Sequence, residues 1–278
     1  MIPLHENLKG RVAVITGGSG VLCSEIAKEL ARHGVKIAII GRNPEKAQSV
    51  AEEINKGGGI AISVKADVIN RLSLEKAKEV ITDHFGKVDI LINGAGGNHP
   101  DAITDTETYS PQKSGKSFFD LSEEGFSKVF NTNFLGAFLT SQAFGQVLME
   151  SEAPTIINIS SMSAYAPMTK VPAYSAAKAA INNLTMWMAV HFAPAGLRVN
   201  AIAPGFFLTT QNRKLLIDEN GHYTERSYKI LRGTPLRRFG EPKDLLGTIL
   251  WLVDEEYSGF VTGVTIPVDG GFLAYSGV

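Results

Sequence analysis

Tyr174 and Lys178 stand four residues apart in Tyr174-Ser175-Ala176-Ala177-Lys178, so on a helix they share one face. A phenol ordinarily titrates near pKa 10. An adjacent ammonium favours the phenolate and brings that value towards neutrality, where proton transfer to a carbonyl oxygen is efficient. Ser161 lies thirteen residues before Tyr174, just past the apolar run Thr155–Ile159. Its hydroxyl can bind the same oxygen. Each of these residues also has a plain reading: neighbours on an exposed helix face, or a serine in a turn.

A proton donor of this kind needs a redox partner, and the start of the chain offers a place for one. Thr16-Gly17-Gly18-Ser19-Gly20 follows the apolar run Arg11–Ile15 and opens a helix. Gly17, Ser19 and Gly20 let the backbone approach a pyrophosphate, whose charge the following helix N-terminus favours. The alternative is an ordinary strand-to-helix turn. The second run ends Ile40-Gly41-Arg42-Asn43, with no carboxylate. An acid at that point takes the ribose hydroxyls of NAD, whereas a nearby arginine accommodates a 2′-phosphate. Arg42 therefore favours NADP(H), with NAD(H) still open, unless it is only a solvated loop residue. After the third run comes Asp67-Val68. Asp67 either accepts a hydrogen bond from an adenine amino group or caps the next helix.

The elements that must position these groups alternate along the chain. Apolar runs at 11–15, 35–40, 60–65, 88–92, 155–159, 198–202 and 264–268 read as strands. Helical patterns at 25–33, 44–56, 73–85, 123–147 and 173–192 lie between them. Such alternation predicts an α/β, Rossmann-like, doubly wound parallel sheet of seven strands, in a single domain over 1–278. Ligands of such sheets bind at the carboxyl ends of the strands. The residues named above all follow strands or open helices.

Several motifs together resemble those of the short-chain dehydrogenase/reductase family. They are Asn93-Gly94-Ala95-Gly96, Asn133 in Asn133-Phe134-Leu135-Gly136, Ile159-Ser160-Ser161, Tyr174-x-x-x-Lys178, and Pro204-Gly205 with Thr209. The resemblance covers essentially the whole chain. It implies NAD(P)-dependent hydride transfer with Tyr174 as acid/base and Ser161, Lys178 and Asn133 beside it. Lys178 would also hold the nicotinamide ribose, and Asn133 a water that relays protons. Asn93, Gly94, Ala95 and Gly96 would form the cofactor wall, and Pro204, Gly205 and Thr209 would meet the nicotinamide end. The family's Thr-Gly-x-x-x-Gly-x-Gly pattern is broken here, because its last two glycines fall on Val21 and Cys23. Val21 and Leu22 then flank the pyrophosphate path, Gly20 can take over the glycine role, and Cys23 reads as packing.

The family resemblance extends to a branch. Residues 94 to 100 (GAGGNHP) and Val21-Leu22-Cys23 are similar to its D-mannonate oxidoreductase (fructuronate reductase) members. A sugar-acid substrate carries a carboxylate, for which His99, Lys170 and Arg213 are candidate cations. The polar stretch 97–121, with Lys113 and Lys116, is too long for a plain connector and should cover the substrate. A second covering element is expected at 206–236. Other readings are a polyol, gluconate or 3-oxoacyl reductase, or a non-catalytic dinucleotide-binding regulator. Family members commonly pair into dimers and tetramers, so a homo-oligomer is expected.

Bulk composition narrows the classes. The 278 residues carry 27 basic and 28 acidic side chains, a formal net charge of -1, which supplies no field for nucleic acid or membrane. With one cysteine, Cys23, there is no internal disulfide. No apolar run approaches membrane-spanning length, and no metal is expected. A cytoplasmic enzyme with a small-molecule substrate is the default expectation.

Overall fold

The structure, a computed structural model, describes residues 5–277 apart from Lys113 and Gln211, so Lys113 lies outside the described residues. Seven strands form one parallel sheet: β1 (Val12–Thr16), β2 (Lys36–Gly41), β3 (Ile60–Lys65), β4 (Ile90–Asn93), β5 (Thr155–Ile159), β6 (Arg198–Pro204) and β7 (Thr265–Val268). Their spatial order is β3-β2-β1-β4-β5-β6-β7, with every pairing parallel. The doubly wound sheet is as the alternation predicts. The winding reverses between β1 and β4, where Thr16 stands beside Asn93 in register. The crevice of a switch point opens there.

Strands β1, β4 and β6 are buried along their whole length, which is why they read as unbroken apolar runs. One face packs under α1 (Val21–Arg32) and α2 (Pro44–Lys56), through Ile15, Ile26, Leu30 and Ile39. The other packs under α3 (Arg71–Phe85) and later helices, through Leu74, Ile81, Phe144 and Met188. A fully buried Phe or Ile side chain contributes about 1.5–3 kcal/mol by removal from water.

Helix α1 starts four residues earlier than its apolar periodicity predicts, at Val21 instead of Glu25. The predicted helix over 123–147 is not continuous. It divides into α4 (Glu123–Phe130), a π turn (Asn131–Leu135) and α5 (Gly136–Leu148). The Asn133 side chain enters the turn and donates to the Val129 carbonyl (2.8 Å), widening it. Helix α6 (Pro172–Phe192) runs uninterrupted for 21 residues, with proline in its first turn. After β6 come α7 (Arg213–Leu216), α8 (Glu225–Arg232), α9 (Lys243–Val253) and α10 (Glu255–Ser258).

The stretch 97–121 is not structureless. It carries 3-10 turns at Pro100–Ala102 and Phe118–Asp120. Asp105 and Lys116 bridge across it: the Asp105 N–H donates to the Lys116 carbonyl (2.8 Å), and its carboxylate accepts the Lys116 N–H (2.7 Å). The 206–236 stretch holds α7 and α8 over a small core of Leu216, Ile230 and Phe239, packed on Phe206 and Leu208.

Candidate active site

Above the switch point lies a cleft of about 580 Å³. Its floor is the first turn. Gly17 is left-handed (φ 63), and a Cβ there would meet the Ala95 Cα at 2.8 Å and its N at 2.9 Å. Both are backbone atoms, so only glycine lets the β1 and β4 turns come this close. The Thr16 hydroxyl ties the two together by accepting the N–H groups of Gly94 (3.1 Å) and Ala95 (3.3 Å). Gly20 caps α1 with no side-chain hydrogen bond, so the amides opening the helix are left for an anion. Gly20, not residue 21, makes the entry into the helix. Val21 is the first helical residue and lines the cleft with Leu22 and Ser19.

The family's missing third glycine has a structural counterpart. Cys23 is buried, and its Sγ would stand 2.2 Å from a Cβ on Gly94. The sulfur fills the space that a side chain at 94 would need, so cysteine at 23 and glycine at 94 form a complementary pair. We expect Gly94→Ala to cost about 1–3 kcal/mol by overpacking. Cys23→Ala in the same chain should recover the part due to the sulfur and leave the part due to the Thr16 carbonyl, 2.9 Å from such a Cβ. Thermal melts of the two single variants and the double variant check this, and strictly additive losses would break the pairing.

The catalytic-type groups converge on the opposite wall. Ser161, Tyr174 and Lys178 line the cleft, with Asn133 and Gly96 behind them. Ser161 follows β5 and caps a short 3-10 turn (Met162–Ala164), its Oγ accepting the Ser163 N–H (3.2 Å) and hydroxyl (3.0 Å). Tyr174 and Lys178 share one face of α6, and the Lys178 Nζ sits 5.5 Å from the Tyr174 ring centroid. That Nζ donates to the Ile159 carbonyl at 2.7 Å. The Tyr174 ring packs against Ala102, Val129 and Ala173, so the 97–121 stretch and α4 both support it.

This geometry coincides with a family match. Residues 11–220 match the family described as short chain dehydrogenase. The chain belongs to the short-chain dehydrogenases. It is therefore an oxidoreductase of an NAD(P)-binding family. An uncharacterized oxidoreductase, UxuB, of Bacillus subtilis (strain 168) is 69% identical over 278 residues, covering 100% of both chains. A 2-dehydro-3-deoxy-D-gluconate 5-dehydrogenase of Escherichia coli (strain K12) is 33% identical, over 99% of this chain and 100% of the relative. A crystal structure from Haemophilus influenzae with bound NAD, provisionally assigned as a D-mannonate oxidoreductase, superposes with a TM-score of 0.95. It is 50% identical and covers 98% of each chain.

The electrostatics of this dehydrogenase depart from the expectation for Tyr174. Burial raises its phenol above the ordinary value, and the hydrogen bond with Ser161 opposes that rise only in part. The Lys178 ammonium lies beside the ring, bound to the Ile159 carbonyl. Lys178 is itself buried, which lowers its pKa to about 8, with Cys23 acting in the other sense. Burial raises the Cys23 thiol to about 11, despite the opposing charge of Lys178, so it is a neutral packing group.

Other predicted residues fall into two sets. Arg42, Val68, Gly94, Ala95, Pro204 and Gly205 line the cleft. Asn93, Asp67 and Thr209 do not. Asn93 lies beneath the wall, where its amide donates to Asn158 (2.9 Å) and Ser141 (3.0 Å) and braces β4. The Asp67 carboxylate closes its own turn by accepting the Ile69 N–H (3.2 Å). Thr209 N–H bonds Asn212 (2.9 Å) at the start of the 206–236 stretch. Asn133 holds the Gly97 backbone by two bonds, accepting its N–H (3.2 Å) and donating to its carbonyl (2.7 Å). Its side-chain donors are thus committed to Gly97 and Val129.

The candidate cations stand outside the lining. His99 faces Asp101 at 3.5 Å, Arg213 is exposed at the start of α7, and Lys170 lies just beyond Met168, which lines the cleft. Lys46, Thr132, Met162, Met168 and Phe206 also line the cleft and carried no sequence signal. Lys46 could have been found, since it lies four residues after Arg42, in the first turn of α2.

Proposed function

We propose that this dehydrogenase interconverts a hydroxyl and a ketone on a sugar acid, D-mannonate and D-fructuronate, with Tyr174 as acid/base. The observation that carries the reading is the convergence of Ser161, Tyr174 and Lys178 on one cleft with the glycine turns at Gly17 and Gly20. The glycine cradle and the open start of α1 fit a dinucleotide pyrophosphate, with Lys178 near the ribose and Gly205 towards the nicotinamide end. A nicotinamide dinucleotide held there exchanges the hydride with the substrate carbon. In reduction, the Tyr174 hydroxyl gives its proton to the carbonyl oxygen as that oxygen becomes an alcohol. The Ser161 hydroxyl donates to the same oxygen, and the Lys178 ammonium stabilises the phenolate left behind. In oxidation the phenolate takes the proton back.

Two features favour a sugar acid. The segments bordering the cleft carry His99, Lys170 and Arg213, which suit a carboxylate better than an acyl chain. Sugar acids are also named for the Escherichia coli relative and the Haemophilus structure. For the cofactor, we read Arg42 and Lys46 at the cleft edge as favouring NADP(H). The Haemophilus structure, which holds NAD, supports NAD(H) as a second cofactor.

The test is the oxidation of NADPH and NADH with D-fructuronate. Turnover should be faster with NADPH. Arg42→Ser should then shift the NADPH/NADH ratio of kcat/KM by about tenfold towards NADH, one lost charge-assisted contact of roughly 1.5 kcal/mol. A ratio that ignores the substitution discards the role of Arg42. No turnover of D-fructuronate with either cofactor discards the substrate.

A further inference from the structure

Helix α6 meets β5 through apolar packing at one end and through polar links at the other, where Lys178 lies. Asn158 and Ser160 are two residues apart, so their side chains leave the same face of the sheet as that of Ile156. Ile156 shares a core with Met188 and Ala189 of α6. Nearer the cleft the contacts change character. The Asn158 amide donates to the Thr185 hydroxyl at 2.9 Å, and the Ser160 hydroxyl donates to the Asn182 side-chain oxygen at 2.5 Å. One turn further, the Lys178 Nζ reaches the Ile159 carbonyl at 2.7 Å. Lys178, Asn182 and Thr185 share one face of α6, so the three links form a ladder. The peptide between Ile159 and Ser160 is gripped on both sides. Its N–H, on Ser160, donates to the Ile202 carbonyl of β6 at 2.8 Å, and its carbonyl, on Ile159, receives the Lys178 ammonium. Ser160 lines the cleft, whereas Asn182 lies behind it, outside the lining.

We propose that Asn182 is a positioning residue: by holding the Ser160 hydroxyl it fixes the Ile159–Ser160 peptide, and through that peptide's carbonyl it sets where the Lys178 ammonium stands beside Tyr174. The proposal rests on the proton-transfer reading above and adds to it a residue outside the cleft lining. A buried ammonium keeps its charge only against a well-placed acceptor. The Ile159 carbonyl is that acceptor, and a carbonyl free to tilt holds the charge less well. The other groups facing Lys178 do not replace it. The Tyr174 phenol on its own helix and the Cys23 thiol on α1 are both raised by burial and neutral at neutral pH. Asn133, from the π turn, spends its amide on the Gly97 and Val129 backbone. The Thr185 rung lies one turn further from the cleft and holds helix to strand without touching this peptide.

The experiment follows the Lys178 titration directly, by the Cε chemical shift of full-length enzyme labelled with carbon-13 lysine, the resonance being assigned by its loss in Lys178→Met. The pH profile of kcat/KM for D-fructuronate reduction is recorded on the same variants. Lys178 titrates at about 8 in the parent. Asn182→Leu and Ser160→Ala remove the bond from its two ends, and each should lower that value by about one pH unit, the size of one weakened charge-assisted contact. Combined, they should lower it no further, since they break the same bond. Asn182→Asp keeps the acceptor and adds a negative charge one turn from Lys178, so it should raise the value. Thr185→Val should lower the melting temperature and leave the titration in place. A titration unmoved in Asn182→Leu and Ser160→Ala, with only the melting temperature lowered, overturns the proposal. A shift in Thr185→Val as large as that in Asn182→Leu overturns it too, because the effect would then belong to the packing of α6 at large. Should Asn182→Leu fail to fold, Ser160→Ala and Asn182→Asp decide the matter by their opposite signs. The titration needs no turnover, so the expected shifts in an enzyme that leaves D-fructuronate unreduced support the positioning role and discard only the substrate.

Discussion

Tyr174→Phe should lower kcat/KM for ketone reduction by about 10³-fold, within the range that a positioned proton donor contributes. The substitution removes one oxygen and keeps the ring that packs on Ala102, Val129 and Ala173. The fold and the glycine cradle, on the far side of the cleft, should therefore survive. Binding of the reduced dinucleotide, followed by its fluorescence, separates lost chemistry from lost structure. A variant that retains more than a tenth of the parent rate would remove Tyr174 from the acid/base role. It would then direct attention to Ser161, the other hydroxyl on that wall.

The second large effect is the pH dependence of the two directions. Lys178 titrates at about 8, below its ordinary value, because it is buried. The Tyr174 phenol is displaced upward. Reduction needs the phenol protonated and the ammonium charged. Both hold at neutral pH, so the rate should be flat there. It should fall about tenfold per pH unit above 8 as Lys178 loses its proton. Oxidation needs the phenolate together with the charged lysine. Its rate should climb about tenfold per unit up to pH 8 and then level, because each further gain in phenolate is matched by a loss of ammonium. The pH profile of kcat/KM in each direction measures this. Reduction that stays level to pH 10 would show that the Lys178 charge is not needed. Lys178→Met should remove the pH 8 limb and lower the reduction rate at neutral pH by about 10²-fold or more.

Periodicity and spacing carried the architecture a long way. The seven strands were legible because a parallel sheet covered on both faces demands near-continuous apolar runs, and Val12–Thr16 or Ile90–Asn93 can be little else. The convergence of Ser161, Tyr174 and Lys178 was legible because two of them lie at helical spacing and the third lies just past the end of a strand. Helix ends and interruptions were harder. The division of the 123–147 helix at Asn131–Leu135 depends on a side chain reaching a carbonyl four residues back, which no hydrophobic pattern encodes. Lys243–Val253 is helical, yet its run Leu245–Val253 has the composition of a buried strand.

By itself, then, the amino-acid sequence determined the doubly wound sheet and the dehydrogenase family and singled out the candidates proposed for proton transfer, since each rests on residue type at fixed separation. Only the tertiary structure decided how those groups are tuned and what surrounds them. Desolvation, which raises Tyr174 and lowers Lys178, is a property of packed neighbours from many segments. The match of Cys23 to Gly94 is a contact between residues 71 positions apart. The bond from Ser160 to Asn182 spans 22 positions. Contacts at such separations have no local signature, because they depend on where the sheet carries the chain and not on what the chain is.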